Sequence, residues 1–155
     1  MKSDLNFLER ELSNKLYGIF LKVGKEYRCN FKEEIYLKAI EIELKSTNLK
    51  YKTKSEIDVF TADGQKVGIC IPDLIVDGKI IIEIKVLRCL MNSSIDQLMK
   101  YLEKSRYEIG YLVNFGTSYT QIIRRVYSNN RKIFIQTRAD DTITRGHSTD
   151  RFRHL

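Results

Sequence analysis

The chain of 155 residues carries a formal net charge of +7, and it is 43% hydrophobic and 30% charged. This length suits one domain with a substantial core, and a single Pro excludes a low-complexity chain. No apolar run approaches the roughly 20 residues of a membrane span, so a membrane partner is not expected, while the positive charge favours an acidic partner such as nucleic acid.

Two amphipathic helices are predicted in the first third of the chain. In residues 4 to 22, apolar side chains recur at helical spacing, at Leu5, Leu8, Leu12, Leu16, Ile19 and Phe20. Residues 31 to 46 are predicted to form the second helix, with an apolar stripe of Phe31, Ile35, Ala39 and Ile42. The segment between the two helices carries Gly24 and is predicted to be a loop.

Residues 49 to 86 change to a strand-like pattern. Two Asp-Gly pairs stand between β-rich runs, in "DVFTADGQKVGIC" and in "LIVDGKIII". Asp-Gly is a strong signal for a hairpin turn. The segment is therefore predicted to be a meander of hairpins.

A helix and further strands are predicted after this meander. Residues 93 to 106 begin with a Ser cap and carry an apolar face of Ile95, Leu98, Met99 and Leu102. Residues 109 to 115 are predicted to form a buried strand. A short arginine-bearing segment follows at 119 to 127, and a last strand is predicted at 131 to 136.

The order of these elements predicts an α/β fold in which a mixed β-sheet is flanked by helices. One domain is expected over residues 1 to 136. Residues 137 to 155 have little apolar content and are predicted to be a mobile basic tail.

The strand from 79 to 86 carries charges among apolar residues. Alternation places Ile81, Glu83 and Lys85 on one face, and Ile80, Ile82, Ile84 and Val86 on the other. Glu83 and Lys85 therefore project side by side. A carboxylate on a half-buried face is costly without a partner, so Glu83 needs Lys85, a metal ion or water beside it.

Whether Asp73 joins Glu83 depends on the number of residues in the turn. A two-residue loop of Asp77 and Gly78 sets Asp73 opposite Ile82, on the wrong face. A three-residue loop from Val76 to Gly78, with Gly78 in the left-handed conformation, sets Asp73 opposite Ile81 and diagonal to Glu83. Only the three-residue loop brings the two carboxylates together.

Two carboxylates beside a lysine suit metal-assisted phosphodiester hydrolysis. A divalent cation between Asp73 and Glu83 relieves their repulsion, and oxygen ligands suit Mg²⁺ or Mn²⁺ rather than Zn²⁺. The metal would polarise a phosphodiester oxygen and lower the pKa of a bound water, while Lys85 orients that water or stabilises the developing charge. The alternative is structural: Asp73 begins a strand after Pro72, and Glu83 with Lys85 is a solvated surface pair.

The string "PDLIVDGKIIIEIK" resembles the signature of the PD-(D/E)XK nuclease superfamily. Upstream, "NFKEEIY" is similar to the GxxExxY family of that superfamily through Glu33 and Tyr36. Downstream, "QLMKYL" resembles the QxxxY motif of RecB-like nucleases. "LVNFG" and the Arg124-Arg125 pair also fall where the family keeps an NFG strand end and a basic residue.

The resemblance implies a restriction-endonuclease-like fold and a role for each matched residue. Asp73 and Glu83 would bind the metal with the Ile84 carbonyl, Glu33 would complete the metal shell, and Lys85 would be the catalytic lysine. Further residues would lie near the site or contact nucleic acid, namely Gln97, Tyr101, Arg124 and Arg125. Helical phase places Gln97 and Tyr101 away from the apolar face, so both are predicted to be exposed.

The sequence therefore predicts a nuclease dependent on Mg²⁺ or Mn²⁺, with DNA favoured over RNA as its substrate. Cleavage of RNA, or of DNA only inside a larger complex, stays open as an alternative. The alternative function is a catalytically inactive nucleic-acid-binding or assembly module that retains the fold. A separate alternative for the net positive charge is that it only keeps the protein soluble. Arg131 and Lys132 are further candidates for phosphate contacts. A homodimer would suit an enzyme that cuts both strands.

The cysteine pattern predicts an intracellular, cytoplasmic protein. Cys29, Cys70 and Cys89 are odd in number and lack a CxxC spacing, which argues against a disulfide framework. The first residues, "MKSDLNFLERELSNK", are amphipathic and charged, so no signal peptide is expected.

Overall fold

The computed structural model describes residues 9 to 135. Its helices and strands, in chain order, are α1 (Arg10–Tyr27), α2 (Glu33–Lys45), β1 (Tyr51–Thr53), β2 (Ile57–Phe60), β3 (Lys66–Cys70), β4 (Leu74–Val76), β5 (Ile80–Lys85), α3 (Asn92–Lys104), β6 (Ile109–Asn114) and β7 (Gln121–Val126). The predicted tail and the start of the first predicted helix lie outside the described residues.

Five strands form a mixed sheet in the order β1-β4-β5-β6-β7. The β5 and β6 strands are parallel, and every other neighbouring pair is antiparallel. A parallel pair needs a crossover connection, and α3 supplies it. The predicted mixed sheet flanked by helices is confirmed.

Both predicted Asp-Gly hairpins are confirmed, as β2–β3 and β4–β5. Their arrangement in one meander is wrong, because β2 and β3 form a separate two-stranded antiparallel sheet. The β1 strand instead pairs with β4. Each Asp-Gly turn determines only its own hairpin. The pairing of β1 with β4 is a long-range contact, which no local sequence pattern predicts.

Both faces of the five-stranded sheet are covered. Ile80, Ile82 and Ile84 pack with the apolar sides of α1 and α2 on the face that we call the α1–α2 face. Ile81 packs on the opposite face, the α3 face, with Leu98 and Leu102 of α3. The alternation predicted for β5 is confirmed, and burial on both sides explains its nearly continuous run of isoleucines.

Two details of the helices differ from prediction. Gly24 lies inside α1 rather than in a loop, and an added Cβ would come within 1.7 Å of Thr120 Oγ1, so this glycine permits close packing. The predicted stripe of α2 is displaced by about one residue: Ile35 and Ile42 are exposed, whereas Tyr36 and Ile40 are fully buried. The many apolar residues of α2 left its phase ambiguous.

The last predicted strand is also wrong within the described residues. Asn129–Arg131 forms a 3-10 turn, and residues 133 to 135 are helical. None of the helices in the described part of the chain has the length and apolar character that a membrane crossing requires.

Candidate active site

The turn between β4 and β5 combines a tight turn with an extra residue. Asp77 and Gly78 both have positive φ, 56° and 63°, as a type I′ turn requires, and the Lys79 N–H donates to the Val76 carbonyl (3.0 Å). Val76 nevertheless pairs with Ile80 rather than with Lys79. Lys79 is therefore a bulged residue, and the loop has three unpaired residues.

This bulge decides which way Asp73 faces. The register pairs Leu74 with Ile82, and one further step sets Asp73 opposite Glu83. The predicted three-residue loop is confirmed in length, but its members are Asp77 to Lys79 rather than Val76 to Gly78. Asp73 consequently lies directly opposite Glu83 instead of diagonal to it.

The Asp73 carboxylate is buried and held by two donors. Its Oδ2 accepts the Ile84 N–H (2.7 Å), and its Oδ1 binds the Lys54 ammonium. Lys54 N–H also donates to the Asp73 carbonyl (3.1 Å). A row of side chains thus crosses three neighbouring strands: Lys54, Asp73 and Glu83. Sequence reasoning missed Lys54, because the contact joins residues 19 positions apart.

Glu83 is buried beside this pair, and its Oε1 accepts no hydrogen bond from the described residues. The pKa of the Glu83 carboxyl is raised to about 7. Burial is the largest cause and the charges of Asp73 and Glu33 add to it, whereas Lys85 and Lys54 act in the opposite direction. Burial and the Glu83 charge raise the pKa of the Cys70 thiol to about 11. The Cys70 thiol therefore stays protonated and is a poor nucleophile.

Glu33 reaches the site from the first turn of α2. It lines a cavity of about 470 Å³ together with Lys54, Asp73 and Ile84. Tyr36, one turn later, is fully buried and stacks on Phe115 with 4.4 Å between ring centroids. The Tyr36 hydroxyl donates to the Arg28 carbonyl and accepts the Phe31 N–H. Tyr36 thereby fixes the start of α2 and the position of Glu33.

The segment after Lys85 is held by Asn114, the Asn of the "NFG" string. Asn114 Oδ1 accepts the N–H groups of Leu87 (2.9 Å) and Gly116 (3.1 Å). Its Nδ2 donates to the Leu87 carbonyl and to the Gln121 side chain. A Cβ on Gly116 would lie 2.2 Å from the Leu87 nitrogen. Asn114 and Gly116 therefore fix the exit of β5, where Lys85 stands.

The donor set fits a hard divalent cation. Asp73 and Glu83 supply carboxylate oxygens, and the unpartnered Glu83 Oε1 is an acceptor that a cation would satisfy. Within residues 9 to 135, no group of three or more His, Cys, Asp or Glu side chains is arranged as a metal site. The Lys54 ammonium occupies Asp73 Oδ1. The ligand set of Asp73, Glu83, Glu33 and the Ile84 carbonyl stays a prediction.

Comparison with known proteins agrees with this geometry. The family model of the PD-(D/E)XK nuclease superfamily matches residues 10 to 126. The chain belongs to the PD-(D/E)XK nuclease superfamily. Its mixed five-stranded sheet with flanking helices is the restriction-endonuclease-like α/β fold of that superfamily. The finer resemblance to the GxxExxY family and to RecB-like nucleases stays a prediction.

Similarity beyond the family model is slight. A solved structure, the crystal structure of SSO0001, is 23% identical to this chain with a TM-score of 0.49. The match covers 74% of this chain and 59% of that one, so the chain spans less than two thirds of its length. No curated protein matches the chain significantly.

In this PD-(D/E)XK domain, Gln97 and Tyr101 meet one another on α3. Gln97 Nε2 donates to the Tyr101 hydroxyl (2.9 Å), and Gln97 is exposed as predicted. Tyr101 is partly buried against the α3-face core, so the prediction of its exposure is wrong. Burial and the nearby Glu83 charge raise the pKa of the Tyr101 hydroxyl. The Tyr101 hydroxyl is therefore within electrostatic reach of Glu83.

The paired arginines of the PD-(D/E)XK chain point to different faces of edge strand β7. Arg125 pairs with Gly110, which pairs with Ile81, so Arg125 lies on the α3 face. Arg124 pairs with Tyr111, which pairs with Ile82, so Arg124 lies on the α1–α2 face. Only Arg125 shares a face with Glu83. A common role of the two arginines at the site would need nucleic acid to reach both faces of this edge.

Lys132 is a structural residue rather than an exposed phosphate contact. It is buried, and its ammonium donates to the carbonyls of Ser105 (2.9 Å) and Tyr107 (2.6 Å) and to Asn129 Oδ1 (2.7 Å). Three acceptors use the three donors of the ammonium. The prediction that Lys132 contacts phosphate is therefore wrong.

Replacing Asn114 by Ala is expected to destabilise the superfamily domain by about 2 kcal/mol, because the Leu87 N–H and carbonyl lose their partner. Urea unfolding measures this loss. Asn48→Ala, which removes an exposed Asn from the segment between α2 and β1, is the control. Equal stability of Asn114→Ala and the wild type would contradict the proposed clamp.

Proposed function

We propose that this chain is a metal-dependent nuclease that hydrolyses phosphodiester bonds of DNA rather than RNA, with Mg²⁺ or Mn²⁺ as cofactor. The observation that carries the proposal is the buried Glu83 Oε1, for which residues 9 to 135 supply no donor, in a side chain directly opposite Asp73. A metal-dependent nuclease site would explain this costly arrangement, because a bound cation compensates the negative charges of both carboxylates. A bound metal would polarise the phosphate and activate a water.

The remaining side chains have roles that follow from their positions. Lys85 is two residues from Glu83 on the α3 face, where its ammonium can stabilise charge that develops on the phosphate. Glu33 faces the same cavity as Asp73 from α2. Asp73 is oriented by the Ile84 N–H, so its position is set by the sheet itself.

The direct test incubates the purified protein with labelled single- and double-stranded DNA and RNA, with Mg²⁺, Mn²⁺ or EDTA. Cleavage of DNA that requires the metal is expected. Binding without cleavage of any substrate would favour the inactive module, and metal-dependent cleavage of RNA alone would correct the substrate. A homodimer stays a prediction.

Lys85→Met is expected to lower the cleavage rate by about 100-fold, because methionine is unbranched like lysine but lacks the charged ammonium group. Binding of Mn²⁺, measured by titration calorimetry, should persist. The control is Lys104→Met, at an exposed position in the last turn of α3. Wild-type rates in Lys85→Met would remove Lys85 from the proposed mechanism.

A further inference from the structure

Three lysines stand at every second position along one edge of the sheet: Lys52 lies in β1, and Lys50 and Lys54 directly precede and follow this strand. The residues between them face the other way. Leu49 and Tyr51 pack against the core of the α1–α2 face, and the Thr53 hydroxyl bonds Glu41 of α2. Because side chains alternate along a strand, Lys50 and Lys52 lie on the α3 face, where Asp73 and Glu83 also lie. Lys54 follows the strand with a positive φ of 48° and pairs with the Asp73 carboxylate.

The line of lysines leads to the candidate metal ligands. The Asp77 N–H donates to the Lys50 carbonyl (2.7 Å) and the Lys54 N–H to the Asp73 carbonyl (3.1 Å), so the β1–β4 register extends over the whole line. Lys54 ends the line in contact with the Asp73 carboxylate. Successive lysines are about 6.6 Å apart along the strand, which is comparable with the spacing of phosphates in an extended nucleic-acid strand.

Lys50 and Lys52 are exposed, and neither forms an ion pair with any residue between 9 and 135. Their charges are therefore not neutralised by the acids that partner other surface lysines. Among the strands of the described residues, none pairs with the outer edge of β1, which leaves room for a long polyanion along this edge.

We propose that Lys50 and Lys52 form a phosphate track along β1, which guides one nucleic-acid strand toward Asp73 and Glu83. This inference rests on the proposed nuclease function and adds the path of the substrate. Phosphate contacts of this kind fix the register of a strand without reading its bases. The track therefore predicts binding that depends on salt and little on sequence.

A second explanation makes a different prediction. Lysines on an edge strand also prevent pairing between the edges of two sheets. If that were their only role, neutralising them would promote self-association and leave the affinity for nucleic acid unchanged.

The test compares Lys50→Gln/Lys52→Gln with the wild type and with a matched control, Lys25→Gln/Lys45→Gln. The control removes the same charge from two exposed lysines in the last turns of α1 and α2. Affinity for a fluorescein-labelled 20-nucleotide single strand, of DNA or of RNA, is measured by anisotropy in EDTA between 50 and 300 mM salt. Sedimentation of each protein reports self-association.

In the track variant, the slope of log K against log salt should fall by about 1.4, which corresponds to about 25-fold weaker binding at 0.1 M salt. In the control, the slope should change by less than about a third of that amount. Equal losses in the two double variants, or self-association of the track variant with unchanged affinity, would overturn the track.

The assay separates the track from the nuclease proposal because no cleavage occurs in EDTA. Specific loss in the track variant supports the track even if the wild type cleaves nothing with Mg²⁺. Normal cleavage by the wild type with no specific loss overturns the track alone. Absence of nucleic-acid binding by the wild type overturns both.

Discussion

Asp73→Asn is expected to reduce metal-dependent cleavage by about a thousandfold or more, since a carboxylate that holds a catalytic metal contributes several kcal/mol to the transition state. The variant should still fold. An Asn side chain keeps a carbonyl oxygen for the Ile84 N–H, which Asp73 Oδ2 accepts in the native protein (2.7 Å). What it loses is the charge.

Initial cleavage rates at saturating Mg²⁺, together with affinity for the same substrate in EDTA, separate chemistry from binding. Affinity should be unchanged or higher, because one anion is removed from the path of a polyanion. The matched control is Asp58→Asn, which neutralises an exposed carboxylate of β2 that pairs with Lys66 of β3. Cleavage by Asp73→Asn at a rate near that of the wild type would refute the assignment of Asp73.

Glu83→Gln is expected to stabilise the metal-free protein above neutral pH and to abolish its stabilisation by Mn²⁺. The pKa of the Glu83 carboxyl is about 7 in the folded chain, against an ordinary value of 4.5. The folded state therefore binds the proton more tightly than the unfolded state. Ionisation of Glu83 therefore lowers the free energy of unfolding. This loss is absent below about pH 4.5, grows as the pH rises, and is complete above pH 7.

The full loss is on the order of 3 kcal/mol, since each unit of pKa corresponds to about 1.4 kcal/mol. Urea unfolding in EDTA at pH 5 and at pH 8 measures it. The wild type should lose stability between these values, and Glu83→Gln should lose less. Mn²⁺ would bind the Glu83 carboxylate, whose Oε1 has no hydrogen-bond donor among the described residues. It should therefore stabilise the wild type at pH 8 and not the variant. Parallel pH profiles would contradict this account of Glu83.

The side-by-side placement of Glu83 and Lys85 could be predicted from sequence, because two residues of one strand separated by a single position share a face. The face of Asp73 could not, since it depends on how many residues the turn leaves unpaired. The Asp-Gly pair by itself favours a two-residue turn, and the bulge at Lys79 reverses its consequence.

Long-range contacts account for the residues that sequence reasoning missed or misplaced. Lys54 reaches Asp73 only because β1 pairs with β4, which the predicted meander did not contain. Tyr101 is half-buried because the β2–β3 hairpin and the sheet meet beside α3. The helical phase of α3 was predicted correctly. A helical wheel does not show, however, that the β2–β3 hairpin also packs against this helix.

The turn at Asp77 to Lys79 also constrains how the length of this segment can change in evolution. Nine residues separate Asp73 from Glu83, and the register makes the two directly opposed. Adding one residue to each strand keeps them opposed, whereas a single insertion or deletion within one strand, with the three-residue turn unchanged, sends one carboxylate to the other side of the sheet. Functional relatives that keep this turn should therefore differ here by even numbers of residues, unless a second bulge restores the phase.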